Sequence, residues 1–93
     1  MTSVQPEVAS EHGPPTIQVT VFAPREVTPR EFTFEKTMRV GEAARMAADA
    51  FGYTGGNPTF AKGDTVLDRI KPLVAEGVRD GDELELVDAG SGV

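Results

Sequence analysis

The hydrophobic pattern of this chain changes period twice, and that change limits the folds open to it. Thr16-Ile17-Gln18-Val19-Thr20-Val21-Phe22 alternates, with Ile17, Val19 and Val21 on one face and Gln18 and Thr20 on the other, the period-two signature of a half-buried strand. A loop from Ala23 to Arg30, broken by Pro24 and Pro29, leads to a second alternating run, Glu31-Phe32-Thr33-Phe34-Glu35, with Phe32 and Phe34 inward. Together they predict a hairpin. From Val40 the apolar residues fall at Val40, Ala44, Ala47 and Phe51, while Glu42, Arg45 and Asp49 share the opposite face. That spacing is helical, and Gly52 supplies the left-handed residue that ends a helix. Arg39 occupies the N-cap position and Thr37 lies two residues earlier, which leaves the helix start open by a few residues.

After the helix the period returns to two. Gly55-Gly56-Asn57-Pro58 is a turn or loop, and Thr59-Phe60-Ala61 and Thr65-Val66-Leu67 are short strands around Lys62-Gly63-Asp64. Asp68 to Val78 is an irregular stretch with Leu73 and Val78 as core residues. Arg79-Asp80-Gly81-Asp82 turns the chain, and Glu83 to Val87 alternates with Leu84 and Leu86 inward. Two strands, a crossover helix and further strands make an α+β layout, with a mixed four- to five-stranded sheet packed on one helix. The alanine-rich helix face suits close approach to the sheet, and Phe32, Phe34, Phe51 and Phe60 supply the bulk. This order matches the β-grasp fold.

Composition narrows the function. In a chain of 93 residues, residues 1–15 hold Pro6, Gly13, Pro14, Pro15 and only scattered apolar side chains, and read as a disordered leader. Residues 16–88 form the domain and 89–93 a tail. A domain this small buries too little to enclose a large active site, so an enzyme is not expected. No cysteine is present, which removes disulfides, thiol nucleophiles and cysteine-ligated metals and fits a reducing cytoplasm. The sequence carries neither an apolar run of membrane-spanning length nor a secretion signal. A formal net charge of −6 disfavours nucleic acid and anionic membrane as partners. Asp80, Asp82, Glu83, Glu85 and Asp88 crowd the last segment against Arg79 alone, so a protein gripping this end should be positively charged.

Gly90-Ser91-Gly92-Val93 follows directly on the last strand. Without Cβ atoms such a tail can thread a channel too narrow for ordinary residues and carry a carboxylate to another protein's active site. From Ile17 to the end, and most specifically from Phe60-Ala61-Lys62-Gly63-Asp64 through Leu67, Leu73, Val78, Leu84 and Leu86 to Gly92, the chain resembles ubiquitin and the bacterial ubiquitin-like proteins encoded beside E1-, E2- and JAB-peptidase-like proteins, some of them in antiviral operons. The overlay is one of hydrophobic spacing rather than identity. The resemblance implies a modifier: an E1-like enzyme adenylates the terminal carboxylate with ATP, transfers it to a cysteine, and an E2-like protein passes it to an amine of a target protein. The modifier holds no cofactor, and all catalysis lies in its partners. It also implies a partner-binding surface, here Ala61, Lys62, Glu85, Val87 and Asp88.

Departures from ubiquitin qualify that picture. Val93 stands where ubiquitin ends in glycine, and its branched Cβ crowds the carbonyl under attack; either a JAB-type peptidase removes Val93 to leave Gly92, the preferred reading, or the cognate enzyme accepts Val93 itself, or no conjugation occurs. Ala61 replaces the central isoleucine of ubiquitin's recognition patch, which removes apolar packing worth about 1.5–3 kcal/mol when buried at an interface. Asp88 and Ala89 replace the tail arginines. Thr65 and Asp80 take the places of the main chain-building lysines, and the only lysines are Lys36, Lys62 and Lys71. Two alternatives stand beside the modifier. A sulfur carrier would use the same terminus but generally ends in paired glycines, and a non-conjugated module would dock through its sheet. His12 lies alone, without a second ligand. Ser91 has no base partner and reads as a spacer. Asp80-Gly81-Asp82-Glu83 lacks calcium-loop spacing, Lys62-Gly63-Asp64 is ordinary turn chemistry, and Glu42, Arg45 and Asp49 read as a solvated face with a weak ion pair.

Overall fold

A computed structural model describes residues 15–89. Strand β1 (Thr16–Phe22) and strand β2 (Arg30–Glu35) form the expected antiparallel hairpin. Helix α1 (Val40–Phe51) follows, then β3 (Pro58–Lys62), β4 (Thr65–Val66), a 3-10 turn (Leu73–Glu76) and β5 (Glu83–Asp88). The five strands form one sheet in the order β2-β1-β5-β3-β4. β5 runs parallel to β1, with Val21 beside Leu84, and antiparallel to β3, with Phe60 opposite Leu86. The sheet is therefore mixed, as the sequence implies. No helix among the described residues is long and apolar enough to cross a membrane.

The core lies between one sheet face and α1. Ile17, Val19, Val21, Phe34, Phe60, Leu84 and Leu86 point into it from the strands, and Val40, Ala43, Ala44, Ala47 and Ala48 meet them from the helix. The buried helix face is broader than the expected stripe. Ala43 and Ala48 join it, while Phe51 is only half-buried at the rim. Alanine allows this, because its short side chain brings the helix close to the sheet along its whole width. Phe32 is likewise half-buried. Its ring stacks on Phe34 at 5.7 Å and tilts against Phe51 at 6.2 Å, closing the edge of the core.

The helix begins at Val40 without a side-chain cap. Its first free N–H groups are met from elsewhere: Val40 donates to the carbonyl of Lys71 and Gly41 to that of Arg69, both at 2.9 Å. The backbone of the irregular stretch thus replaces the Ser, Thr, Asp or Asn expected at an N-cap. At the other end Gly52 takes φ 90°, and its N–H and that of Tyr53 close on the last turn.

β3 starts at Pro58, the first strand position, where a missing N–H is tolerated. β4 is shorter than the sequence suggests. Leu67 leaves the strand to enter the core, its N–H donating to Phe60 and its carbonyl accepting the Thr59 hydroxyl at 3.0 Å. The stretch expected to be irregular contains the 3-10 turn, whose Leu73 is fully buried and donates to the Met38 carbonyl.

Lys62 pins this region to the start of β5. Its Nζ donates to the Gly77 carbonyl at 2.7 Å and pairs with Asp82 at 2.9 Å; the same Asp82 oxygen accepts the Arg79 N–H at 2.8 Å. Burial raises the pKa of Asp82, but the Arg79 N–H and the Lys62 ammonium outweigh it and hold the carboxyl below its ordinary value of 3.8. A depressed folded pKa means that this pairing stabilises the fold above the ordinary carboxylate pKa and fades as pH falls through the lowered value. Replacing Asp82→Asn is expected to cost about 1 kcal/mol at neutral pH, and the difference from the parent in urea unfolding should vanish in strong acid. Phe60→Ala, in the middle of the core, is expected to cost about 3–5 kcal/mol in the same measurement.

Candidate functional site

The candidate tail residues Gly90, Ser91, Gly92 and Val93 lie outside the described residues. Their point of departure is well defined. β5 occupies the middle of the sheet; its pairing with β1 ends at Phe22 beside Glu85, and its last residues up to Asp88 stay paired with β3. There the Asn57 N–H donates to Asp88 Oδ1 at 3.2 Å, and the Ala89 N–H donates to the Asn57 carbonyl at 2.8 Å. Ala89, assigned to the tail by sequence, is thus still tied to the fold. Gly56, at φ 71°, lets the other Asp88 oxygen approach to 2.9 Å from where a Cβ would stand, so only glycine fits beside it. Arg45 braces the same loop, its Nη2 donating to the carbonyls of Gly55 and Gly56 at 3.2 and 2.9 Å. The helix stripe is therefore more than a solvated face. The Arg45–Asp49 pair is loose, at 3.9 Å, and the tighter contacts of Arg45 are to the loop that holds the exit.

Strand register sorts the five partner-binding candidates. Phe22 lies beside Glu85, Glu85 opposite Ala61, and Ala61 opposite Val66. These four form one row across the face of the sheet turned away from α1, with Val87 and Thr59 paired in the adjacent row. Ala61, Glu85 and Val87 are accordingly brought together. Lys62 and Asp88 are one residue out of phase, and their side chains serve the internal contacts with Gly77, Asp82 and Asn57.

Two members of the row, Phe22 and Val66, are not among the residues that the sequence singles out for partner binding. They are 38% and 59% exposed, whereas Ala61 between them is buried. Ala61 is thus flanked by the apolar Val66 on one side and by Glu85 on the other, with the Phe22 ring beyond Glu85. Phe22 is detectable from sequence, because the alternation of β1 places it in register with the polar residues Gln18 and Thr20. The surrounding charge is of one sign. Glu31, Glu35, Glu83 and Glu85 lie on this face, and no strand residue of the face is basic. Phe22, Ala61, Glu83 and Glu85 line a shallow concavity of about 300 Å³. The arrangement can seat an apolar anchor ringed by cationic groups; among the described residues it assembles no cluster of metal ligands.

Searched by sequence, the chain matches no family model and no curated protein. Comparison of structures is informative. The chain is similar to Caldiarchaeum subterraneum ubiquitin, with a TM-score of 0.70 and 16% identity over 85% of this chain and 100% of that one. It is similar to the ubiquitin-like domain of Plasmodium falciparum Dsk2, with a TM-score of 0.66 and 17% identity over 80% and 99%. It also resembles a chain of the toluene 4-monooxygenase HD complex with the inhibitor 4-bromobenzoate, with a TM-score of 0.72 and 10% identity over 81% and 100%. With the observed strand order and the one α-helix among the described residues, these likenesses establish the fold as the ubiquitin-like β-grasp.

Proposed function

We propose that this chain is a ubiquitin-like protein modifier, activated at the carboxyl end that follows β5 and recognised through the outer face of the sheet. The observation that carries the reading is the placement of β5. A central strand, tied down at Asp88 and Ala89, precedes Gly90-Ser91-Gly92 in the sequence and carries Glu85 within the outer row of Phe22, Ala61 and Val66 that a partner can grip. Similarity to an archaeal ubiquitin supports the same reading.

In this scheme a carboxylate oxygen of the terminus attacks the α-phosphorus of ATP and pyrophosphate leaves. A cysteine thiolate of the E1-like enzyme then displaces AMP to give a thioester. After transfer to an E2-like protein, an amine of the target protein attacks the thioester carbonyl and the thiol departs. A JAB-type peptidase first hydrolyses the Gly92–Val93 bond, so that the unbranched Gly92 carboxylate enters the reaction. The domain supplies recognition and a fixed release point, and the bond chemistry belongs to its partners in the cytoplasm. Bacterial antiviral defence is the setting suggested by the resemblance. The glutamates of the outer face call for a positively charged activating enzyme.

The likeness to a chain of the toluene 4-monooxygenase HD complex favours one other reading, a module that docks through the same face without being conjugated. Incubation with an E1-like protein from the same genome and ATP distinguishes the two. The modifier gives a reductant-sensitive adduct that disappears when residues 90–93 are deleted. Binding without an adduct supports the docking module, and exchange of one oxygen for sulfur supports a carrier. Within the modifier reading, Glu85→Lys or Phe22→Ser is expected to slow adduct formation by about tenfold while leaving the fold intact. Unchanged rates would remove the outer face from the recognition surface.

A further inference from the structure

A second surface lies on the helix side of the molecule, remote from the outer sheet face. Met38 and Arg39, the exposed flank of the first half of α1, and Arg69 with Ile70 enclose an open groove of about 500 Å³. Its apolar lining comes from Met38, Met46 and Ile70, of which Met46 is 51% and Ile70 70% exposed. Gly41 forms part of its floor. A Cβ there would stand 3.0 Å from the guanidinium carbon of Arg69, so the glycine lets Arg69 lie flat across the start of the helix.

Three guanidinium groups, those of Arg39, Arg45 and Arg69, line this groove against a single carboxylate, Glu42. In a chain with a net charge of −6, that is a local reversal of sign. Arg45 is committed to the loop carbonyls of Gly55 and Gly56, and Arg69 donates through Nε to the Pro58 carbonyl at 2.8 Å. The terminal nitrogens of Arg69 and the whole guanidinium of Arg39 have no hydrogen-bond or ion-pair partner among the described residues. They remain available as donors.

These features select the occupant by chemistry. A purely apolar segment would cover the methionines and Ile70 but strand the arginine donors away from water, at a cost larger than the packing returns. A basic segment is repelled, and nucleic acid is opposed by the field of the whole chain. Acidic side chains flanking one or two large apolar anchors satisfy both halves of the groove, and methionine adapts its shape to such anchors. We infer that the groove between α1 and residues 69–70 is a docking site for an acidic peptide segment of a partner protein, carrying apolar anchors for Met38, Met46 and Ile70. It is independent of the carboxyl-terminal chemistry and leaves the outer sheet face free.

Selection of a random peptide display library on the full chain tests this. Enriched peptides should combine Asp or Glu with large apolar residues, bind more weakly as salt is raised, and shift the amide resonances of Met38 to Met46 and of Arg69 and Ile70. The double change Arg39→Glu with Ile70→Ser should weaken a selected peptide by about tenfold or more, whereas Glu85→Lys on the sheet should not. Both altered residues are exposed, and thermal unfolding confirms that the fold survives; Ile70→Ser alone serves if the double variant does not fold. No enrichment, neutral or basic peptides, or binding abolished only through Glu85 would overturn the proposal. So would binding that emerges only after deletion of residues 1–14, which would assign the groove to the chain's own leading segment. Self-association abolished by Arg39→Glu would assign it to a second copy.

Discussion

The last strand of the chain is the central strand of its sheet. Among the described residues β5 contributes the only parallel pairing, to β1, and the antiparallel pairing to β3, so the amino-terminal hairpin and the β3–β4 ribbon belong to one sheet only through it. Neither two-stranded piece is stable alone in water. β1 and β5 must therefore meet although their partners, such as Val21 and Leu84, lie 63 residues apart, and the loop-closure entropy of that encounter has to be offset by Leu84 and Leu86 settling beside Val21 and Phe60. Everything proposed about function inherits this arrangement: the exit of the chain, the outer row of Phe22, Glu85, Ala61 and Val66, and the glutamates around it are all fixed relative to β5.

The helix depends on the rest of the fold in a complementary way. Its inner face is nearly all alanine, which lowers the side-chain entropy cost of burial and lets the helix sit close to the strands. Its amino end has no capping side chain. The segment after β4 performs that task with its own carbonyls, from Arg69 and Lys71, and in doing so brings Arg69 and Ile70 alongside Met46 and forms the groove. One hydrogen-bonding requirement of the helix thus builds a surface that the sheet does not supply.

Strand and helix positions are legible in the sequence because periodicity reports burial directly. β1 has the limits read from its alternation, α1 runs from Val40 to the Gly52 stop, and β5 extends one residue further, to Asp88. What periodicity does not reveal depends on contacts distant in sequence. The absent N-cap makes sense only with residues 69–71 in place, and the burial of Ala61 and Thr59 on the outer face follows from the neighbouring strands and Leu67. Lys62 and Asp88 read as surface contacts, but their phase along β3 and β5 turns them toward Gly77, Asp82 and Asn57. The ring of Phe22 can be placed by simple alternation; the sign reversal around Met46 cannot, because it brings Arg69 beside Arg39 and Arg45 from a segment distant in sequence.

The central position of β5 also decides how the domain bears load. Ladder hydrogen bonds lie roughly across the strands, and β5 has them on both sides, to β1 and to β3. Tension applied beyond Ala89 along the strand meets these bonds in shear, so several must fail together. An edge strand peeled from a sheet would instead surrender its bonds one at a time. A cargo tethered after β5 would accordingly be tugged by translocating or unfolding machinery against a strand held on both sides.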